Sequence, residues 1–170
     1  MQVNKKWKEL LTTESYQNKG KSVFHGEISE DETKLWKAAG NGNIEEVQNS
    51  LSIIFVNVNC SRGSKESTPL SEAAENKYEK VVKVLLDAGA DPNKADKYET
   101  TPIYWATSNN LNQVIKLLLD GGANPDLTNN YGDTPLILAA YRGSNDVVQL
   151  LLDAGANPNR AYFGRMTPLH

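Results

Sequence analysis

The 170-residue sequence predicts an all-α solenoid of helix-turn-helix units joined by β-hairpin-like fingers. Three observations carry that expectation. Thr-Pro pairs begin at Thr68, Thr101, Thr134 and Thr167, each 33 residues after the last. Gly89, Gly122 and Gly155 keep the same step, and so do Pro92, Pro125 and Pro158. Apolar blocks starting at Val81, Val114 and Val147 keep it as well. Several unrelated residue types in one register describe a repeated unit that buries its apolar face by stacking on its neighbours.

Each mark predicts one element of the unit. Thr before Pro opens a first helix: the hydroxyl caps an orphan N–H, and Pro at the first helical position lacks an N–H that would be unpaired anyway. Ala73-Ala74 and Ala139-Ala140 follow five residues later, where small side chains let helices approach closely. Ala106-Thr107 makes the third unit slightly bulkier. The blocks Val81-Val82-Lys83-Val84-Leu85-Leu86, Val114-Ile115-Lys116-Leu117-Leu118-Leu119 and Val147-Val148-Gln149-Leu150-Leu151-Leu152 predict a second helix. They are too apolar for one buried stripe, so this helix is expected to be covered by its partner and by neighbouring units. Gly89, Gly122 and Gly155 stand where a left-handed helix terminus favours glycine, and the Pro three residues on stops the helix. A polar, turn-rich finger follows, as in Asn129-Asn130-Tyr131-Gly132-Asp133.

Composition narrows the function. Hydrophobic residues make up 39% and charged residues 23%, which allows a packed core. With 18 Lys and Arg against 21 Asp and Glu, the net charge of −3 suits general nucleic-acid binding poorly, because phosphate contacts need clustered cations. One cysteine, Cys60, excludes an internal disulfide framework and a Cys-rich zinc site. Two histidines, His25 and His170, argue against a histidine metal site. The start, from Met1 to Leu11, has lysines but no apolar run of a secretory signal. The apolar stretch Ile53 to Val58 is interrupted by Asn57, and nothing approaches the ~20 apolar residues a membrane helix needs. The expectation is a soluble, cytoplasmic protein without cofactor, metal or membrane partner; export as an effector is the alternative.

The pattern Thr-Pro-Leu, Ala-Ala, apolar helix, then Gly-Ala-Asp/Asn-x-Asn resembles the ankyrin repeat. Thr134-Pro135-Leu136 through Ala139-Ala140 to Gly155-Ala156-Asn157-Pro158-Asn159 is the clearest copy. The resemblance runs from about Thr33 to His170. Residues 1–30 are then a lead, a short helix or disordered, with Trp7, Leu10 and Leu11 at helical spacing. Residues 31–170 are about four repeats and a truncated fifth. In a divergent first unit, Leu35-Trp36-Lys37-Ala38-Ala39-Gly40-Asn41-Gly42 matches the first helix, with Thr33 in the Thr position. Asn59 corresponds to Asn93 and Asn159, which places one extra residue before Asn59 and one in the finger after it. The second helix of this unit, Glu45 to Leu51, is more polar, as a cap with one wet face would be. Lys77 and Asn110 replace the usual glycine of the helix–helix turn, kept as Gly42 and Gly143. Glu66 and Glu99 replace the finger glycine, kept as Gly132. These four positions put the local turn geometry in question. Thr167-Pro168-Leu169-His170 opens a fifth unit and stops, so the chain is expected to be a fragment of a longer array. Apolar surface around Leu138, Leu150 and Leu151 is then expected to be partly wet.

The resemblance implies a non-catalytic module that binds another protein through its finger tips and the concave face of its first helices. Carried over by position, the tips are Ser64, Lys65 and Ser67; Lys97, Tyr98 and Thr100; Asn130, Tyr131 and Asp133; and Phe163 and Met166. The first-helix positions are Glu72, Glu75 and Asn76; Trp105, Ser108 and Asn109; and Leu138, Tyr141 and Arg142. The preferred partner-binding set is Lys97, Tyr98, Trp105, Ser108, Asn109, Asn130, Tyr131, Asp133, Tyr141 and Arg142. Aromatic and Arg side chains dominate binding hot spots, which singles out Trp105 and Tyr141, whereas Tyr98 and Tyr131 could simply pack between fingers. The alternative is a targeting or inhibitory segment of a longer enzyme or effector. A monomer is expected, with self-association through the uncapped C-terminal face. Tyr104 stands where the family has His and suggests finger–helix hydrogen bonding.

Other signals are bland. Gly20-Lys21-Ser22 lacks the upstream glycine of a phosphate loop, since position 15 is Ser15. Glu30, Asp31 and Glu32 precede a helix and favour its N-terminus. Cys60 has no His or basic partner in view and reads as a buried or idle thiol.

Overall fold

The structure, a computed structural model, describes residues 29–53 and 56–160. The expectations for Trp7, Leu10, Leu11, Gly20-Lys21-Ser22, Phe163, Met166 and Thr167 to His170 lie outside the described residues.

Among the described residues, eight helices form four pairs. They are α1 (Glu30–Asn41) with α2 (Ile44–Leu51), α3 (Pro69–Glu75) with α4 (Glu79–Asp87), α5 (Pro102–Ser108) with α6 (Asn112–Asp120), and α7 (Pro135–Tyr141) with α8 (Asn145–Asp153). First helices touch first helices of the next unit, and second helices touch second helices. The predicted all-α solenoid is present. Its core lies between the two rows, where Leu35, Leu70, Ile103 and Leu136 meet Val47, Val81, Leu85, Leu118, Val147 and Leu151. Ala38, Ala39, Ala73, Ala74, Ala106 and Ala139 are fully buried and let the helices close up. The second helices are covered by their own partner and by the units before and after, while Lys83, Lys116 and Gln149 stay exposed.

The punctuation works as the sequence indicates. Thr68, Thr101 and Thr134 accept from the amides of Ser71 (3.1 Å), Tyr104 (3.4 Å) and Ile137 (3.2 Å), and Pro opens each helix. Gly89, Gly122 and Gly155 take φ of 86°, 90° and 85°. A Cβ built on any of the three meets nothing within 4 Å, so conformation rather than space selects glycine there. The four positions that lost glycine keep the glycine conformation: φ is 55° at Glu66, 70° at Lys77, 59° at Glu99 and 56° at Asn110.

Three expectations need correction. Thr33 is not a cap. α1 starts one turn earlier, with Ser29 at the cap position, and the Thr33 hydroxyl donates to the Ser29 carbonyl at 3.2 Å. Lys34 follows Thr33 where the other units have Pro, so nothing forces a helix start at Thr33. Glu30, Asp31 and Glu32 accordingly form the first turn itself, against the positive end of the helix. Leu151 is not wet: it is fully buried, because its side chain joins the core between the two rows. Leu138 and Leu150 are half-buried, as expected. Added exposure in the fourth unit instead falls on Ala140 and Val148, half-buried where Ala74, Thr107, Val82 and Ile115 are buried.

The fingers are turns, with no strand among the described residues. Arg62 and Ser67 form an isolated antiparallel bridge, both N–H···O distances being 3.0 Å. In the next two fingers Asp96 donates to Thr100 (3.0 Å) and Asn129 to Asp133 (3.1 Å). The Arg62 closure lies one residue further from the tip than its counterparts, as the extra residue read after Asn59 requires.

Candidate interaction face

Fingers and first helices build one continuous face. The tips of the second and third described fingers are each tied back by an Asx side chain. Asp96 Oδ1 accepts from the amides of Tyr98 (2.9 Å) and Thr100 (3.0 Å). Asn129 Oδ1 accepts from those of Tyr131 and Asp133, both at 3.0 Å. Neighbouring tips are linked through the backbone, Lys97 N donating to Lys65 O (2.9 Å) and Asn130 N to Tyr98 O (3.0 Å). These bonds place Lys97, Tyr98, Asn130 and Tyr131 in a row, and all four side chains are exposed. Tyr98 and Tyr131 are 44% and 66% exposed, so they do not simply fill the space between fingers.

The fingers stand against the first helices. Trp105 Nε1 donates to Asp96 Oδ2 at 3.2 Å, and the Lys65 ammonium lies 4.6 Å from the centroid of its ring. Lys65 also donates to both Glu75 oxygens, at 2.7 and 2.9 Å. Ser67 Oγ donates to Glu72, and Trp36 Nε1 donates to the Ser67 carbonyl at 3.0 Å. Adjacent first helices are tied by Asn109, whose Nδ2 donates to the carbonyls of Trp105 (3.1 Å) and Glu75 (3.3 Å). Arg142 donates in the same way to the Ser108 carbonyl of the preceding unit, and Ser108 Oγ donates to Trp105 O at 2.9 Å. Four of the predicted residues, Trp105, Ser108, Asn109 and Arg142, therefore also hold the scaffold. Tyr141 is the opposite case, with 90% of its surface in solvent. Leu138 is half-buried beside it, and Thr100 is buried under its finger.

Electrostatics follow this geometry. The Glu75 hydrogen bond, with Glu72 and Asp96 nearby, raises the Lys65 ammonium above its ordinary value. Partial burial raises the Asp133 carboxyl. Burial, and then the Asp133 carboxylate, raise the Tyr104 phenol, against the opposing pull of Arg142 and of Asn129 in the next finger. Cys60 is buried and burial pushes its thiol up to about 11, against the opposing pull of Arg62. Arg62 is thus the basic neighbour that spacing did not reveal; its guanidinium pairs with Glu32 and leaves the thiol neutral.

The residues that sequence reasoning missed are the Asx acceptors, of which Asp96 and Asn129 are buried. Asp96 and Asn129 fix the tips, and a second set joins the loops after the second helices. Asn59 accepts from the Asp91 amide (2.8 Å), Asn93 from Asn124 (2.7 Å) and Asp126 from Asn157 (2.9 Å). The signal was present as Asx residues kept at a fixed offset in the Gly-Ala-Asp/Asn-x-Asn segment.

Among the described residues no cluster of His, Cys, Asp or Glu could hold a metal ion. No described helix is long and apolar enough to cross a membrane. No curated protein matches the chain. The family described as Ankyrin repeats (3 copies) matches residues 7–96 and again 89–162. The match takes in residues ahead of α1 and both helices of all four pairs, so the repeat period, the paired rows and the sequence match agree. The chain belongs to the ankyrin repeat family, whose members are in general protein–protein interaction modules and typically not enzymes.

Proposed function

We propose that this chain recognises a protein partner through the row of finger tips and the adjoining face of the first helices, and performs no catalysis of its own. One observation carries the proposal. Of the five exposed large apolar side chains among the described residues, three (Tyr98, Tyr131 and Tyr141) lie on this one face. Tyrosine offers large contact area with little rotamer entropy to lose, which is why it recurs in hot spots. The backbone and side-chain bonds described above hold the face in place before binding, so little ordering is needed on contact.

The test uses the two most exposed rings, because Trp105 and Arg142 also hold the scaffold. A partner captured by affinity purification on the 170-residue chain should bind the Tyr131→Ala and Tyr141→Ala variants about tenfold more weakly each. Melting temperatures should stay within a degree or two of the parent, since exposed side chains contribute little to folding. Unaltered affinity in both variants rejects this face.

A further inference from the structure

The face is chemically polarised, and the polarity describes the partner. Around the Arg62–Ser67 and Asp96–Thr100 fingers it carries five carboxylates: Glu66, Glu72, Glu75, Asp96 and Glu99. The cations on these fingers are Arg62, Lys65 and Lys97, with Lys77 in the turn after α3, and Arg62 is already paired with Glu32. Lys65 is already committed to Glu75. Glu72 and Asp96 are committed to Ser67 and Trp105. Glu66 and Glu99 occupy the same register on adjacent tips, are exposed, and make no ion pair among the described residues. Toward the fourth unit the charge balances, one Asp133 against one Arg142, and the surface becomes Tyr131, Leu138 and Tyr141.

Resting on the partner-binding face proposed above, we infer that the partner contributes a linear segment with an aromatic or aliphatic anchor and a basic flank. The anchor sits against Tyr131, Leu138 and Tyr141, and Lys or Arg side chains point to Glu99 and then Glu66. Charge complementarity fixes the direction of the segment, since reversal would place its cations on the charge-balanced end beside Arg142. The Tyr98 ring, on the residue before Glu99, accepts a cation already, the Lys97 ammonium lying 5.1 Å from its centroid. Stacked helices repeat every ~10 Å. An extended chain advances about 3.3 Å per residue, so the basic positions fall about three and six residues from the anchor.

The probe is a phage-displayed library of random peptides selected on the 170-residue chain. Selected sequences should place Lys or Arg at that offset on one side of an aromatic or Leu. Their affinity should fall about five- to tenfold on the Glu66→Gln/Glu99→Gln variant and should weaken with added salt, as exposed charge contacts do. Both substitutions keep side-chain length, and both sites are exposed, so folding is not at stake. Selection of acidic or uncharged peptides, an unenriched library, or basic peptides indifferent to the double variant overturns the inference. Peptides that respond to Tyr131→Ala and Tyr141→Ala but not to the double variant overturn the basic flank and leave the face standing. Peptides that respond to neither set remove the face as well.

Discussion

Lys77 and Asn110 stand in the same turn of consecutive units, and both hold φ in the left-handed region, at 70° and 56°. Gly42 and Gly143 do the same in the flanking units at 73° and 67°. The turn is imposed by the helices on either side of it: Tyr78 N donates to Ala73 O (2.9 Å) and Leu111 N to Ala106 O (3.0 Å), closing each unit. A lysine forced into this conformation costs about 1–2 kcal/mol relative to its preferred backbone, because its Cβ crowds the following carbonyl. Asparagine tolerates the region far better. Replacing Lys77 by Gly relieves that strain but returns some entropy to the unfolded chain, roughly 0.5–1 kcal/mol. Lys77→Gly should therefore raise unfolding free energy by up to about 1.5 kcal/mol, and Asn110→Gly should gain less. Urea titrations of the two variants decide this. A Lys77→Gly chain no more stable than the parent, or a larger gain at Asn110, contradicts the strain argument.

At the scale of elements, helix starts and stops were largely legible. Thr-Pro and Gly act locally, and their effects repeat in every unit. Where Pro was missing, at Thr33, the start moved back to Ser29, because a helix without a stop extends as far as its carboxylate-rich first turn favours it. The tie points of the face were less legible. Trp105 looked free because its partners, Lys65 and Asp96, come from two different fingers and do not recur: the Lys65 position is Tyr98 and Tyr131 in later units. A periodic signal reveals contacts that every unit shares and hides those made once. The Asx ladder was shared and could have been found. Asn93 is its central rung, accepting from Asn124 N and donating Nδ2 to the Gly122 carbonyl at 3.1 Å. Asn93→Ala should cost roughly 1–2 kcal/mol, leaving two backbone groups of the next loop without a protein partner. Asn93→Asp keeps the acceptor, as Asp126 does in the following unit, and should lose less than half as much. The Asn124 amide should lose hydrogen-exchange protection in the alanine variant alone among these two. Equal losses for Ala and Asp would show that the loop packing, rather than the ladder, joins these units.

At the scale of the molecule, each helix pair touches only the pairs beside it, so stability is a sum of unit terms and neighbour terms rather than the property of one central core. Equivalent side chains should then differ in worth according to how many neighbours cover them. Val82 and Ile115 are fully buried, each with a unit on either side, whereas Val148 at the same register is half-buried. The chemistry is nearly constant across the series, so the difference isolates the neighbour term. Val82→Ala removes two buried methyl groups and leaves a cavity between tightly packed rows, a loss of about 2–3 kcal/mol. Val148→Ala removes groups that already meet solvent over part of their surface, and its lining can relax, so the loss should be about 1 kcal/mol. Measured by urea unfolding, the Val82 variant should shift the midpoint at least twice as far. Hydrogen exchange sharpens the comparison: Val148→Ala should lower protection in α7 and α8 while leaving α3 and α4 near their parental values. Equal penalties at the two sites, with protection lost evenly along the chain, would mean that the four pairs unfold as one unit. The neighbour-by-neighbour description would then have to give way to a single cooperative core.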